Sequence, residues 1–131
     1  MFSIPEALHY ADLSLFLLRL MVALVFGASG FAHLKAPRQR AESIGMSVGF
    51  TIFLGLAEIA GALGLAAGVL MQWAAIGLIL VMMGAIYKKI FVWKTGFWGE
   101  KASGWHYDLL FVVMNLTILC TGGGRIALLP N

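Results

Sequence analysis

Apolar residues fall in four long blocks separated by short polar connections. A helix rises about 1.5 Å per residue, so about 20 residues cross a hydrocarbon layer about 30 Å thick. The first block, 13–34, and the second, 48–70, reach that length unaided. The third starts at Met71 and is purely apolar to Tyr87; it extends to Trp93 if Lys88 and Lys89 snorkel to the headgroups. The fourth, 105–121, is the shortest. Membrane strands would alternate over about ten residues between turns, and no such pattern is present. The pattern therefore predicts an all-α polytopic membrane protein, a four-helix bundle with spans at about 13–34, 48–70, 71–93 and 105–121. The longest polar stretches, 35–47 and 94–104, leave no room for a second domain, so 1–131 reads as one membrane domain.

Charge orients the bundle. Lys35, Arg38 and Arg40 lie in the first connection and Lys88, Lys89, Lys94 and Lys101 lie around the third. Residues 1–12 carry no Lys or Arg, Met71 and Gln72 carry none, and the tail has only Arg125. The positive-inside rule then predicts both termini on the outer side. Trp73 at one face and Trp93, Trp98 and Trp105 at the other read as interfacial anchors. Composition agrees: 61% hydrophobic against 11% charged residues is a bilayer composition. The net charge of +3 follows from this topology and from attraction to an anionic leaflet, and no basic motif points to nucleic acid. The first block has spanning length and lacks a basic leader, so it is expected to stay in the mature protein. Cys120 is the only cysteine, which excludes an internal disulfide or a CxxC relay.

Three charges fall inside the spans: Arg19, Glu58 and Asp108. Each costs at least about 2.5 to 3.5 kcal/mol near the bilayer centre and asks for a reason. Counting from the expected outer helix ends, Arg19 lies about 9 Å deep and Glu58 about 18 Å deep, close to the midplane. At about 100° per residue, Arg19, Ala23, Phe26, Gly30 and His33 form one stripe, and Thr51, Gly55, Glu58 and Ala62 form another. Asp108 and Asn115, two turns apart, project the same way from the fourth helix. These stripes are expected to converge inside the bundle, with an Arg19–Glu58 pair completed by Asn115. Such a pair either fixes the bundle or forms a proton or quinone site. A second polar layer is expected at the cytoplasmic end from His33 and Lys35 with His106 and Asp108. Its two histidines raise a haem ligation, but helix-end histidines more often serve as interfacial hydrogen bonders, so haem is disfavoured. Zinc lacks a third or fourth ligand at recognisable spacing.

Gly27, Gly30, Gly61, Gly64 and Gly68 favour close helix packing, and the Gly64–Gly68 spacing allows a homodimer. Gly122, Gly123 and Gly124 end the fourth helix and read as its C-cap. No phosphate-binding loop, GxSxG or HExxH is present.

The succession Leu18-Arg19-Leu20, then Gly30-Phe31-Ala32-His33-Leu34-Lys35-Ala36-Pro37, resembles the opening of DoxX-like membrane proteins. Glu58 followed by Gly61 and Gly68 resembles that family's second-helix pattern, and Asp108 and the glycine-rich finish match its end more loosely. Nearly the whole chain is covered. Asp108 in place of the commoner Glu, and His33 ahead of Lys35, depart from the simplest pattern. The resemblance implies a four-helix subunit of the plasma membrane, the inner membrane of a bacterium, in a family named from quinol oxidase or thiosulfate-to-quinone systems. It assigns no catalytic residue. Three functions follow as expectations. The first is an accessory subunit of a quinone-linked redox complex, whose protein partner carries the redox cofactor and which is not itself a complete enzyme. The second is a non-enzymatic scaffold or assembly factor. The third, a small proton-coupled transporter, is disfavoured because Arg19 in the first helix would repel a cation.

Overall fold

The computed structural model describes residues 4–99 and 104–128, without the side chains of Ser43 and Ile44. Lys101, counted with the basic residues of the third connection, lies outside them. A 3-10 turn, Pro5–Tyr10, leads into α1 (Ala11–Lys35), followed by α2 (Pro37–Ile44), α3 (Val48–Ala67), α4 (Met71–Tyr87) and α5 (Trp105–Thr121). A π-helical turn, Lys88–Val92, continues α4.

Local chemistry explains the breaks. Pro37 disfavours helix at Ala36, which leaves helical geometry (φ −138°), and then opens α2 at a position where its missing N–H costs nothing. Gly45 ends α2 in the left-handed region at φ 70°, and the Met46 N–H donates to Ala41 O at 2.9 Å. Ser47 caps α3 by accepting the Phe50 N–H at 3.2 Å, and Gly68 (φ 77°) closes it. Gly122 (φ 79°) ends α5, as its place in the sequence suggests.

The first span therefore starts earlier than its apolar block and the second ends at Ala67 rather than at residue 70. The polar stretch 35–47, expected to be an open connection, contains α2. The fourth span keeps its expected bounds.

Residues 5–35, Val48–Ala67 and Met71–Val92 are each long and apolar enough to cross a membrane, and Trp105–Thr121 is a shorter apolar helix of 17 residues. The surface is apolar: Leu24 is 67% exposed and Leu63 65%, while Arg19 is 0% and Glu58 3% exposed. A chain that turns its leucines outward and its charges inward is built for lipid.

The main packing pairs are α1 with α3 and α4 with α5; α3 against α4 and α1 against α5 close the bundle, and α2 lies over α1 and α3. Val22, Phe26, Leu65, Leu78, Phe111 and Ile118 fill the centre. Phe26 meets Phe111 edge-on at 5.5 Å between centroids, which levels the middle of α1 with that of α5.

Both described chain ends meet at one end of the bundle. There the segment after α5 folds back: the Arg125 N–H donates to Asp12 Oδ1 at 3.0 Å and the Leu128 N–H to Ala67 O at 3.0 Å. Gly123 (φ 87°) and Gly124 (φ 89°) permit this path, because an added Cβ would strike Met71 at the first and press on Leu15 at the second. The opposite end, with α2, the π turn and their lysines and arginines, is the basic end.

Candidate functional site

The site grows from one helix crossing. A Cβ on Gly30 would stand 2.7 Å from Gly55 O, and one on Gly55 would stand 2.9 Å from Gly30 O. The two glycines thus let α1 and α3 touch backbone to backbone. Ser29 and His33 flank this contact on α1, and Glu58 lies one turn along α3. The crossing brings the Ser29 side chain into hydrogen-bond contact with the Glu58 carboxylate, and His33 and Arg40 close enough to act on it by charge. His33 Nδ1 is 2.7 Å from Ser29 O, which fixes the ring. Among the described residues nothing hydrogen-bonds to the buried Glu58 Oε2.

Helix α5 closes the other side. Tyr107 lies in the field of both Asp108 and Glu58. Asp108, buried, holds Lys89 Nζ at 2.8 Å from Oδ2, and the same ammonium sits 5.6 Å from the Tyr107 ring centre. Lys89 therefore turns inward from the π turn with 13% of its side chain exposed, instead of reaching out to the headgroups as expected from its place at a span end. Farther along α5, Asn115 Nδ2 donates to Phe111 O at 2.8 Å, and its buried Oδ1 has no partner among the described residues.

The expected Arg19–Glu58 pair does not form among the described contacts. Arg19 donates to Met71 Sδ at 2.7 Å and to Ile126 O at 2.5 Å, and its guanidinium carbon lies 5.2 Å from the Phe16 ring centre. Gly30 and Gly55 share one depth, and from them Arg19 lies about 16 Å and Glu58 about 4.5 Å toward the terminal end. About 12 Å of axial separation exceeds what one side chain spans. Arg19 belongs to the fold-back of the tail, Glu58 to the crossing.

The cytoplasmic layer also disperses. His33 joins Glu58, Asp108 pairs with Lys89, and Lys35 is exposed. His106 has Nδ1 2.7 Å from Phe97 O and packs its ring 5.2 Å from that of Trp98. Four members were missed: Ser29, Arg40, Lys89 and Tyr107. Ser29 stands four residues before His33, and the buried Ala41 beside Arg40 marks the inward face of α2. Among the described residues no three His, Cys, Asp or Glu side chains gather as a metal group would require.

On the lipid side, α3 and α4 enclose an apolar groove of about 420 Å³, lined in part by Ala57, Gly61, Gly64, Trp73, Gly77 and Val81.

A family model described as the DoxX-like family matches residues 17–119. No curated protein and no solved structure matches this chain.

Proposed function

This chain belongs to the DoxX-like family, and on that premise we propose that it is an accessory subunit of a quinone-linked redox complex in the plasma membrane, the inner membrane of a bacterium. One observation carries the reading: Glu58, 3% exposed in the middle of a span, keeps Oε2 free of any hydrogen-bond partner among the described residues, while Ser29 meets the carboxylate and His33 and Arg40 act on it by charge. A buried acceptor left open is costly unless something donates to it. A quinol hydroxyl is such a donor. As two electrons leave the quinol for a cofactor on a partner protein, its two hydroxyl protons leave as well, one to Glu58 and the other to water, and the reverse transfers accompany reduction of the quinone.

The groove between α3 and α4 suits the isoprenoid tail, since it is apolar, faces lipid and lies beside Glu58 on α3: Gly61 is about 60° and Ala57 about 100° around the helix from it. The electron carrier belongs to the partner, because the single cysteine and the absence of cofactor motifs in the sequence leave this chain without one. It is therefore a subunit without a complete catalytic centre.

Mass spectrometry of organic extracts tests the reading. Stoichiometric quinone is expected from purified wild type, retained in Lys35→Gln at an exposed position and lost in folded Glu58→Gln. Wild type without quinone above the lipid background would reject it in favour of a non-enzymatic scaffold.

A further inference from the structure

We infer that Glu58 exchanges its proton with one face of the membrane only, the face at the basic end of the bundle, and that the end carrying the termini is closed to it. This rests on Glu58 as the proton-exchanging group of the proposed function and does not depend on the quinone.

Toward the basic end, the side chains that act on the carboxylate are polar. Ser29 and His33 come from α1, Arg40 from α2, and Tyr107 and Asp108 from α5, with Lys89 from the π turn held on Asp108. These are the titratable and charged groups that the packed elements turn toward Glu58. Arg40 and Lys89 are partly exposed, so this polar group extends to the surface.

Toward the terminal end the same bundle is filled mainly by apolar side chains. Val22, Leu65 and Ile118 are 0% exposed, and with Ala23, Phe26 and Ala62 they fill the next layer. Asn115 adds a polar side chain to it, its amide nitrogen bonded within its own helix and its Oδ1 enclosed by the packing. Beyond lies Arg19, a guanidinium fully out of solvent, locked to Met71 and to the carbonyl of Ile126. A fixed cation in a low-dielectric passage repels a hydrated proton, as arginines do in proton-excluding pores. Over it the tail is tied down by the Asp12–Arg125 and Ala67–Leu128 hydrogen bonds. One half is a polar path and the other an apolar plug topped by a positive charge.

The test is carbodiimide labelling of Glu58 in wild-type protein, reconstituted in vesicles of known orientation. Dicyclohexylcarbodiimide enters from the lipid and modifies buried carboxyls only when they are protonated; peptide mass spectrometry reads the site, and Glu58→Gln supplies the blank. With the two faces buffered independently, the labelling rate is expected to rise as the pH at the basic face falls. The rise is at most about tenfold per pH unit, the limit for one titrating group. It is expected to ignore pH at the terminal face. A rate that follows the terminal face, both faces or neither overturns the inference. Because the readout needs no quinone, protein that lacks quinone but labels from the basic face would sink the quinone reading and leave this one standing.

Discussion

A guanidinium with no accessible surface must be held by something, and Arg19 is held by the start of α4 and by the tail: its donors go to Met71 Sδ and Ile126 O. Replacing it with Met keeps most of the volume but orphans the Ile126 carbonyl, at about 1 to 3 kcal/mol. Arg19→Met is therefore expected to loosen residues 125–128. Trypsin should cut after Arg125 several times faster than in wild type, with the rest of the bundle uncut; equal rates would mean that the two flanking hydrogen bonds hold the tail alone. Glu58 behaves differently, because among the described residues no cation lies within ion-pair distance of it. Glu58→Gln keeps the shape of a buried group that has no ion-pair partner, so it is expected to stay within about 1 kcal/mol of wild type in denaturant unfolding. Collapse of that variant would make Glu58 a structural residue. The stripes that bury both residues were legible from helical periodicity: Arg19, Ala23, Phe26, Gly30 and His33 all face inward, as do Thr51, Gly55, Glu58 and Ala62. Which of them would meet was not. Pairing depends on the axial register of α1 against α3, which the Gly30–Gly55 contact sets, and no single-helix pattern carries that register.

Helix packing makes sharper claims. At Gly30 and Gly55 an added methyl would meet opposing backbone, which cannot turn aside as a side chain would. Gly30→Ala and Gly55→Ala are each expected to cost about 1 to 3 kcal/mol by forcing α1 from α3. Gly77→Ala and Gly84→Ala, which meet nothing within 4 Å, should be neutral in the same unfolding assay. Losses of equal size at all four would reject the close crossing as the cause. The Lys89–Asp108 pair gives a double-mutant test. Lys89→Met or Asp108→Leu alone leaves a buried charge unpaired and is expected to cost up to about 3 to 5 kcal/mol, whereas the double variant should recover most of it. Additive losses would mean that the pair is not coupled. Lys89 was readable and overlooked: Ala75 and Met82 are buried at seven-residue spacing, and the next step of the same stripe is Lys89. Its place at the end of an apolar block suggested snorkelling, but the stripe outweighed the block because Asp108 offered a partner inside. Helix ends at Pro37, Gly45, Ser47 and Gly68 carry ordinary local signals. Even so, a polar run as short as α2 shows as a helix only when those signals are weighed above its lack of apolar periodicity.

At the scale of the molecule, the two ends are unlike. One gathers the chain ends under a tail tied to Asp12 and Ala67, and the other gathers α2, the π turn and their basic side chains. That the ends of the described chain share a side follows from an even number of spans, and this was legible from the four apolar blocks. The closing of that end was not legible, because a run of three glycines has no periodicity and its path is set by what it lands on. Charge predicts the orientation in the membrane: Lys35 and Arg38 are exposed near α2, and by the positive-inside rule that end is expected on the cytoplasmic side. Single cysteines in a Cys120→Ser background put this to the test. Leu8→Cys, in the exposed turn before α1, should react with a membrane-impermeant maleimide in intact cells. Arg38→Cys should react only after the membrane is opened. The reverse pattern would turn the bundle over, so that the basic face, from which Glu58 draws its proton, would lie outside. A proton taken from a quinol would then be released across the membrane from the cytoplasm instead of into it, and the same arrangement of residues would serve energy storage rather than local buffering.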